Sequence, residues 1–193
     1  MLKGTCLFTL TLTMLLALPA QAVVVQGPHL NPSNGHAYYL VSRNSWTGAE
    51  AEAVTFGGHL VTVNDQAEND YIWNTFNQAA STSLSDHFWI GLNDAVTEGA
   101  FVWASGELIS YTHWGMGEPN NDPGWGGEDY VQMIAHPFNL VGPRDWNDAN
   151  DSGSGLTPFG IVEVIPEPTA ISIAGALTLT RIIRRSHRRL TYS

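Results

Sequence analysis

Carboxylate and carboxamide side chains are concentrated in one stretch of the sequence, between Glu118 and Asp148. Its content of Gly, Pro, Asn and Asp is too high for a helix or a central strand, so it is expected to form loops. Such side chains offer hard oxygen ligands, which suit Ca²⁺ at about six to eight oxygens, whereas zinc calls for His or Cys. The sequence therefore predicts a calcium site with five ligands: Glu118, Asn120, Glu128, Asn147 and Asp148.

The same residues pair hydrogen-bond acceptors with donors, as a sugar hydroxyl on a metal ion requires. A hydroxyl that binds the ion through one lone pair still has a proton to give and a second lone pair to fill. Glu118 with Asn120 would bracket one hydroxyl, and Glu128 with Asn147 would bracket its neighbour. Asp148 would hold only the metal. This interpretation predicts recognition of a vicinal diol.

Hydrophobic periodicity and turn residues place these loops on an α+β scaffold. Two short helices are predicted: one begins with a capping box at Thr47 and ends at Gly57, and the other begins with a capping box at Asp65. Residues 23–35 show no periodicity and are expected to be an irregular lead-in. Strands are predicted at 36–41, 87–92, 101–103, 108–111, 130–134 and 160–164, with 101–103 and 108–111 forming a hairpin.

The order of short motifs over residues 36–165 resembles that of a C-type lectin-like domain. The motifs are Gly57-Gly58-His59-Leu60, Trp89-Ile90-Gly91-Leu92-Asn93-Asp94, Glu98-Gly99, Glu118-Pro119-Asn120, Gly127-Glu128-Asp129, Trp146-Asn147-Asp148 and Ile161-Val162-Glu163. Each motif alone is weak, but the ordered series is highly specific. The resemblance implies a fold with two helices, two small antiparallel sheets and a long calcium-binding loop, and a cis bond between Glu118 and Pro119.

The resemblance also implies what the site binds. The Glu-Pro-Asn form at 118–120 is associated with mannose, glucose, N-acetylglucosamine and fucose, whereas galactose-type relatives usually carry Gln-Pro-Asp. Trp125 resembles the glycine-flanked Trp of galactose-type loops, and it would either stack on a sugar face or anchor the loop inward. A second, auxiliary calcium is implied at Asp94, Glu98, Glu128 and Asp129.

The chain departs from the family by lacking both of its usual disulfides. Ala53 and Val162 occupy the positions of one pair, and Tyr130 and Asp151 occupy those of the other. Loss of both partners at the first site predicts an apolar contact there. Each bridge would contribute about 2–4 kcal/mol, so we expect bound calcium to replace part of the missing restraint.

The two ends of the chain are expected to be targeting segments. Residues 1–22 combine Lys3, an apolar run and Ala20-Gln21-Ala22, which is typical of a secretory signal peptide; a membrane-spanning helix would need about 20 apolar residues. Residues 166–193 resemble a PEP-CTERM sorting tail, with Pro166-Glu167-Pro168, a short apolar run and five arginines. This implies an exosortase-type partner and an envelope or extracellular location. The alternatives are a plain C-terminal anchor and a basic amphipathic tail.

Charge and residue spacing narrow the range of ligands. Between Val23 and Ile165 there are 17 acidic and two basic residues, a formal net charge of −15. Such a domain repels nucleic acid and anionic lipid, which leaves cations and neutral glycans as partners. The alternative is that the acidic charge serves only solubility. The histidines show no metal-type spacing, so no zinc site is predicted from them.

Five tryptophans are predicted to lie in the core: Trp46, Trp73, Trp89, Trp103 and Trp146.

Two other functions fit parts of the same pattern. A glycosidase could use Glu118 and Glu128 as its two carboxylates, but their Asn neighbours and loop setting favour metal ligation and a non-enzymatic protein. A protein-binding or matrix module on the same fold could keep the acidic loop as a structural element without binding sugar. The ligand pattern favours a calcium-dependent lectin over both.

Overall fold

The computed structural model describes residues 23–79, 86–136, 142–153 and 157–166. The predicted signal peptide and all but the first residue of the predicted sorting tail lie outside these ranges. Among the residues described, no helix has the length and apolar character needed to cross a membrane.

Eight strands and two α-helices are found in the described parts of the chain, which confirms the α+β prediction. In order they are β1 (Val24–Leu30), β2 (Ala37–Arg43), α1 (Trp46–Thr55), β3 (His59–Leu60), α2 (Gln66–Phe76), β4 (His87–Asn93), β5 (Val102–Trp103), β6 (Tyr130–Ile134), β7 (Trp146–Ala149) and β8 (Phe159–Val164). A single 3₁₀ turn, Pro123–Trp125, lies in the loop between β5 and β6.

The strands are joined in the order β1-β2-β8-β4-β6-β7, with β3 paired to β8 and β5 paired to β4. All pairs are antiparallel except β4 with β8, where Phe88 lies opposite Phe159 and Trp89 opposite Gly160. The two antiparallel groups expected from the sequence are therefore present, and this short parallel pairing joins them into one mixed sheet. The long loop and β7 lie on the β4 side of that junction.

The helix starts show one correct and one wrong prediction. Asp65 caps α2 and accepts a hydrogen bond from the backbone N–H of Glu68 at 2.8 Å, as the capping box predicts. The predicted cap of α1 at Thr47 is wrong: Ser45 is the N-cap and accepts from the N–H of Gly48 at 3.1 Å. Thr47 is used instead in a long-range contact, because its N–H and hydroxyl both donate to the Asp151 carboxylate.

Three strand predictions also need correction. The lead-in at 23–35 contains β1, whose side chains are largely exposed on both faces, so it shows no alternation of polar and apolar residues. The predicted hairpin of 101–103 with 108–111 is wrong. β5 pairs with β4 instead, and residues 108–111 form no strand. Residues 146–149, expected to be loop, form the edge strand β7.

The core holds most of the predicted tryptophans. Trp46, Trp89, Trp103 and Trp146 are buried, whereas Trp73 is only partly buried and lies beneath the Arg144 guanidinium, 4.9 Å from its ring centre. The predicted apolar contact is present, since Ala53 and Val162 share a buried cluster with Val41. Tyr130 and Asp151 each contact the start of α1. The Tyr130 ring lies 4.7 Å from that of Trp46, and Asp151 holds Thr47.

Gly58 leads into β3, and we predict that Gly58→Ala is destabilising. A Cβ at this position would lie 1.9 Å from the carbonyl oxygen of Glu163, which is main chain in β8 and cannot turn away. We expect a loss of at least the roughly 1–3 kcal/mol typical of overpacking. Gly124→Ala is the matched control, because its nearest neighbour is the Asp122 side chain at 3.1 Å. Urea unfolding measures both, and equal stabilities would contradict the prediction.

Candidate functional site

Asp148 holds the start of the acidic loop against the sheet. It lies in β7 opposite Val131 of β6, and only 1% of its surface is exposed. Its two carboxylate oxygens accept hydrogen bonds from the backbone N–H groups of Asn120, at 3.1 Å, and Asn121, at 2.8 Å. Asp148 therefore fixes the main chain immediately after Pro119.

The Glu118–Pro119 bond is cis, as the family resemblance implies. The Glu118 N–H donates to the carbonyl oxygen of Gly115 at 3.1 Å, and the Asn120 amide nitrogen lies 2.5 Å from Oε2 of Glu118. The predicted acceptor and donor of the first pair thus lie side by side. The side chain of Glu118 is partly exposed and that of Asn120 is exposed, so both can reach a ligand in solvent.

Glu128 closes the other end of the loop. Its N–H donates to Oδ1 of Asn121, and its Oε2 accepts from the N–H of Asp122, both at 2.9 Å. Asn121 adopts a left-handed backbone conformation, with φ +45°, which allows it to face both Asp148 and Glu128. Residues 118–128 are consequently held at both ends by hydrogen bonds. Glu128 itself is buried, with only 3% of its surface exposed.

Asn147 lies beside this network in β7, opposite Gln132 of β6. Its amide nitrogen donates to the carbonyl oxygen of Asp148. The prediction from the sequence pairs Asn147 with Glu128 around a sugar hydroxyl. In the structure the Asn147 amide bonds to the backbone carbonyl of Asp148 instead. Of the five predicted ligands, Glu118, Asn120, Glu128 and Asp148 are connected through the loop, and Asn147 is their immediate neighbour.

The loop carries negative charge, and no arginine of the described residues pairs with its carboxylates. Burial raises the pKa of Glu118 to about 7, with further contributions from the charge of Asp148, a hydrogen bond to it and the charge of Glu128. Burial also raises the pKa of Glu128 to about 7, supported by the charges of Asp148 and Asp122. The two described arginines pair elsewhere, Arg43 with Asp86 and Arg144 with Asp70. A cation would relieve this repulsion.

Comparison with known families identifies the domain. Residues 42–154 match the family model described as the lectin C-type domain. The chain belongs to the C-type lectin family. Its two helices and mixed sheet are the C-type lectin fold, which confirms the resemblance drawn from the sequence.

Individual C-type lectins agree with this assignment. Human C-type mannose receptor 2 is 36% identical over 124 residues, which cover 63% of this chain but only 8% of the receptor. Lectin BRA-3 of Megabalanus rosa is 29% identical over 136 residues, covering 69% of this chain and 76% of that lectin. The crystal structure of the cow CD23 carbohydrate-recognition domain, obtained in the presence of a GlcNAc2Man3 oligosaccharide, has TM-score 0.55 at 25% identity and covers 79% of this chain and 98% of that one.

The residues predicted for an auxiliary metal in this C-type lectin are partly brought together. Asp94 is buried; its Oδ2 accepts from the N–H of Gly99 at 2.7 Å, and its Oδ1 has no hydrogen-bond partner among the described atoms. Burial raises the pKa of Asp94, as do the charges of Asp129 and Asp148. Desolvation and the same carboxylates, with that of Asp94, raise the pKa of the exposed Glu98. Asp148 therefore interacts electrostatically with both acidic groups, a role not predicted for it.

Sequence reasoning missed two residues of the C-type lectin loop. Asn121 and Asp122 are not among the ligands predicted from the sequence, yet both bond to Glu128. Asp122 also begins the 3₁₀ turn by accepting from the N–H of Gly124 at 2.8 Å. Their position directly after Glu118-Pro119-Asn120 was the available signal. Trp125 ends this turn, and its side chain lies outside the part of the structure that is described.

The chemistry of the loop fits a hard dication such as Ca²⁺. Its donors are carboxylate and amide oxygens, and no described cation neutralises them. Both oxygens of Asp148 and one oxygen of Glu128 accept hydrogen bonds from backbone N–H groups. Among the described residues, the carboxylates of Glu118, Glu128 and Asp148 do not form a group whose oxygens all lie within 4.8 Å of one another. Because each carboxylate oxygen has two lone pairs, these hydrogen bonds leave capacity for a metal.

We predict that the raised pKa of Glu128 gives the chelator-treated protein a specific pH dependence. A carboxyl with a higher pKa in the folded state binds more protons there, so its contribution to stability falls as pH rises from about 4.5 to 7. Glu128→Gln removes the proton binding of this carboxyl. The melting temperature of the variant minus that of the parent should therefore increase by a few degrees as pH rises across that range. Thermal unfolding in EDTA measures it. Glu107→Gln, at an exposed carboxylate outside the loop, is the control, and parallel curves for the parent and Glu128→Gln would refute the prediction.

Proposed function

We propose that this protein is a calcium-dependent lectin that binds glycans without altering them. The observation that carries the proposal is the connected loop in which Glu118 and Asn120 lie 2.5 Å apart, while Asp148 and Glu128 hold the main chain on either side. Glu118 and Asn120 thereby present one acceptor and one donor together at the exposed edge of an acidic loop. That is the pattern a diol on a metal ion requires.

Each residue has a distinct part in this proposal. Calcium would supply a charged centre to which two adjacent sugar hydroxyls can bind. Glu118 and Glu128 accept the hydroxyl protons, and the amides of Asn120 and Asn147 donate to the remaining lone pairs. For Asn147 this requires its amide to exchange the Asp148 carbonyl for the sugar. Asp148 keeps the loop in place and adds an oxygen ligand.

The compared proteins support a ligand of the mannose class. The name of one relative refers to mannose, another is named as a lectin, and the cow CD23 structure was obtained with an oligosaccharide containing mannose and N-acetylglucosamine. The Glu-Pro-Asn sequence at 118–120 favours the same sugars. We infer that mannose-type hydroxyl pairs are preferred over those of galactose.

The location of the lectin is also a proposal. The signal-peptide pattern at 1–22 supports export, and the tail at 166–193 supports sorting to the cell envelope by an exosortase-type enzyme. In this scheme the membrane is contacted only through the C-terminal segment. A glycan or polysaccharide at or outside the envelope would then be the partner.

One observation favours a second candidate, a protein-binding or matrix module. Both oxygens of Asp148, one oxygen of Glu128 and the amide of Asn147 already bond to main-chain atoms, so the loop could serve as a structural element. In that case the acidic surface would recognise a protein through charge. The two candidates differ in whether Asn147 is needed as a donor.

We expect immobilised mannose to retain the protein with calcium and to release it with chelator. Asn147→Asp replaces a donor by an acceptor, so sugar binding should weaken by about 1–3 kcal/mol, or roughly five- to 150-fold. Asn150→Asp is the matched control just beyond β7, since its Oδ1 acts as an acceptor, for the N–H of Ser152. Retention by neither mannose nor galactose would reject the lectin, and normal binding by Asn147→Asp would favour the module.

Calcium should also stabilise the fold. At about 100 times its dissociation constant, a ligand specific for the folded state adds roughly 2.7 kcal/mol. The melting temperature should therefore rise with calcium and return with EDTA. Magnesium should give a smaller shift, because it requires stricter octahedral geometry and loses its waters reluctantly. Identical melting curves in calcium and in EDTA would contradict both the site and its role in replacing the missing disulfides.

A further inference from the structure

A second polar cluster lies away from the acidic loop, where β2, α2 and β8 meet. His36, Glu68 and Glu163 each place a donor atom within 4.8 Å of the other two. The carboxylates are buried, with 6% of Glu68 and 7% of Glu163 exposed, whereas the imidazole reaches the surface. Buried carboxylates of this kind require a compensating partner.

Main-chain hydrogen bonds orient both carboxylates. Oε2 of Glu163 accepts from the N–H of Thr62 at 3.0 Å, and Oε2 of Glu68 accepts from that of Asn64 at 2.8 Å. Both N–H groups belong to the short link between β3 and α2. Oε1 of Glu163 lies 2.5 Å from Nδ1 of His36 and 3.4 Å from the Tyr38 hydroxyl. Outer contacts of this type fix the ligands of metal sites.

Among the described residues, no basic side chain other than His36 pairs with the carboxylates of this cluster. Tyr38 donates its hydroxyl to Glu68, and Asn34 donates to the same oxygen at 3.0 Å, but both are neutral groups. The two arginines in the described ranges pair with Asp86 and Asp70. Even with a protonated His36 the three groups sum to −1. A dication with a neutral imidazole and two carboxylates sums to zero.

A cavity of about 280 Å³ opens beside these donors. His36 and Glu68 line it, together with Tyr71 and the polar side chains of Asn31, Asn34 and Asn64. A water or a small exogenous ligand can therefore approach the cluster from this side. Three protein ligands and one open position is a coordination pattern found for zinc.

We propose that His36, Glu68 and Glu163 form a binding site for a zinc-class transition metal ion, distinct from the calcium site of the loop. The imidazole nitrogen decides the class of metal, because Ca²⁺ takes oxygen ligands and zinc accepts nitrogen with carboxylate. The ion would tie the start of β2 to α2 and β8, three elements that no disulfide joins within the described chain. The site does not depend on the sugar-binding proposal.

Binding requires a small opening of the cluster. Two donors at about 2.0–2.1 Å from a tetrahedral ion lie roughly 3.3 Å apart, compared with 2.5 Å between His36 and Glu163. His36 directly precedes β2 and is partly exposed, so its ring can withdraw by the difference of about 0.8 Å. Both carboxylates can stay on their main-chain donors.

The experiment is a Zn²⁺ titration of the untagged protein by calorimetry, with calcium at saturation to occupy the oxygen-only loop. We expect one Zn²⁺ per chain with a dissociation constant in the micromolar range or tighter. His36→Gln and Glu163→Gln should weaken it by at least about tenfold. His59→Gln is the matched control, because His59 makes a similar pair with Glu50 at 2.6 Å but has no second carboxylate in a metal-type group.

Failure of the parent protein to bind Zn²⁺ below millimolar concentration would overturn the proposal, as would equal weakening by His36→Gln and His59→Gln. Full displacement of Zn²⁺ by calcium would also overturn it, since it would indicate an oxygen-only site. The imidazole nitrogen resonances of His36 in the parent give an independent measurement that does not rely on a variant folding. They should shift with one equivalent of Zn²⁺, and an unchanged His36 spectrum would contradict the assignment. Mannose retention in calcium tests the lectin proposal separately.

Discussion

The bond between the Asp148 carboxylate and the main chain of Asn120 and Asn121 is the contact on which the acidic loop depends. β7 holds Asp148 in place through its pairing with β6, and the buried Trp146 anchors β7 to the core. This one side chain is therefore enough to fix the path of the main chain after Pro119. Because both oxygens of a single carboxylate are used, the two N–H groups are fixed relative to each other as well as to the sheet. The side chain of Asn121 in turn accepts a hydrogen bond from the N–H of Glu128, which fixes the other end of the loop.

The distribution of charge separates the scaffold from its candidate sites. On the scaffold, Arg43 is paired with Asp86 and Arg144 with Asp70, so these charges are locally compensated. In the loop, Glu118 and Glu128 have raised pKa values because burial and neighbouring carboxylates act on them without an opposing base. Retaining such groups costs folding free energy. A ligand with positive charge is the simplest physical account of their persistence, whereas a purely structural loop gains nothing from their mutual repulsion.

The sequence predicts those features that are encoded by neighbouring residues. The Asp65 cap is correct because its partner, Glu68, is three positions away. The Thr47 cap is wrong because Ser45 competes locally and Asp151 draws Thr47 into a contact across the fold. β1 is missed since neither of its faces is consistently buried. The acidic loop can be predicted because its candidate ligands come as contiguous motifs. His36 and Glu163 lie 127 positions apart, and only the folded sheet brings them together.

The absence of the two family disulfides changes how the base of the loop is held. At the first site, Ala53 and Val162 retain the contact as buried apolar packing. At the second, Tyr130 and Asp151 do not replace the bridge with a contact of the same kind: the Tyr130 ring packs on Trp46, and Asp151 binds Thr47. Both residues therefore connect the strands beside the loop to the start of α1. Helix α1 thereby becomes the support that a covalent link would otherwise provide, and the order of the loop depends on non-covalent contacts that a bound ion can reinforce.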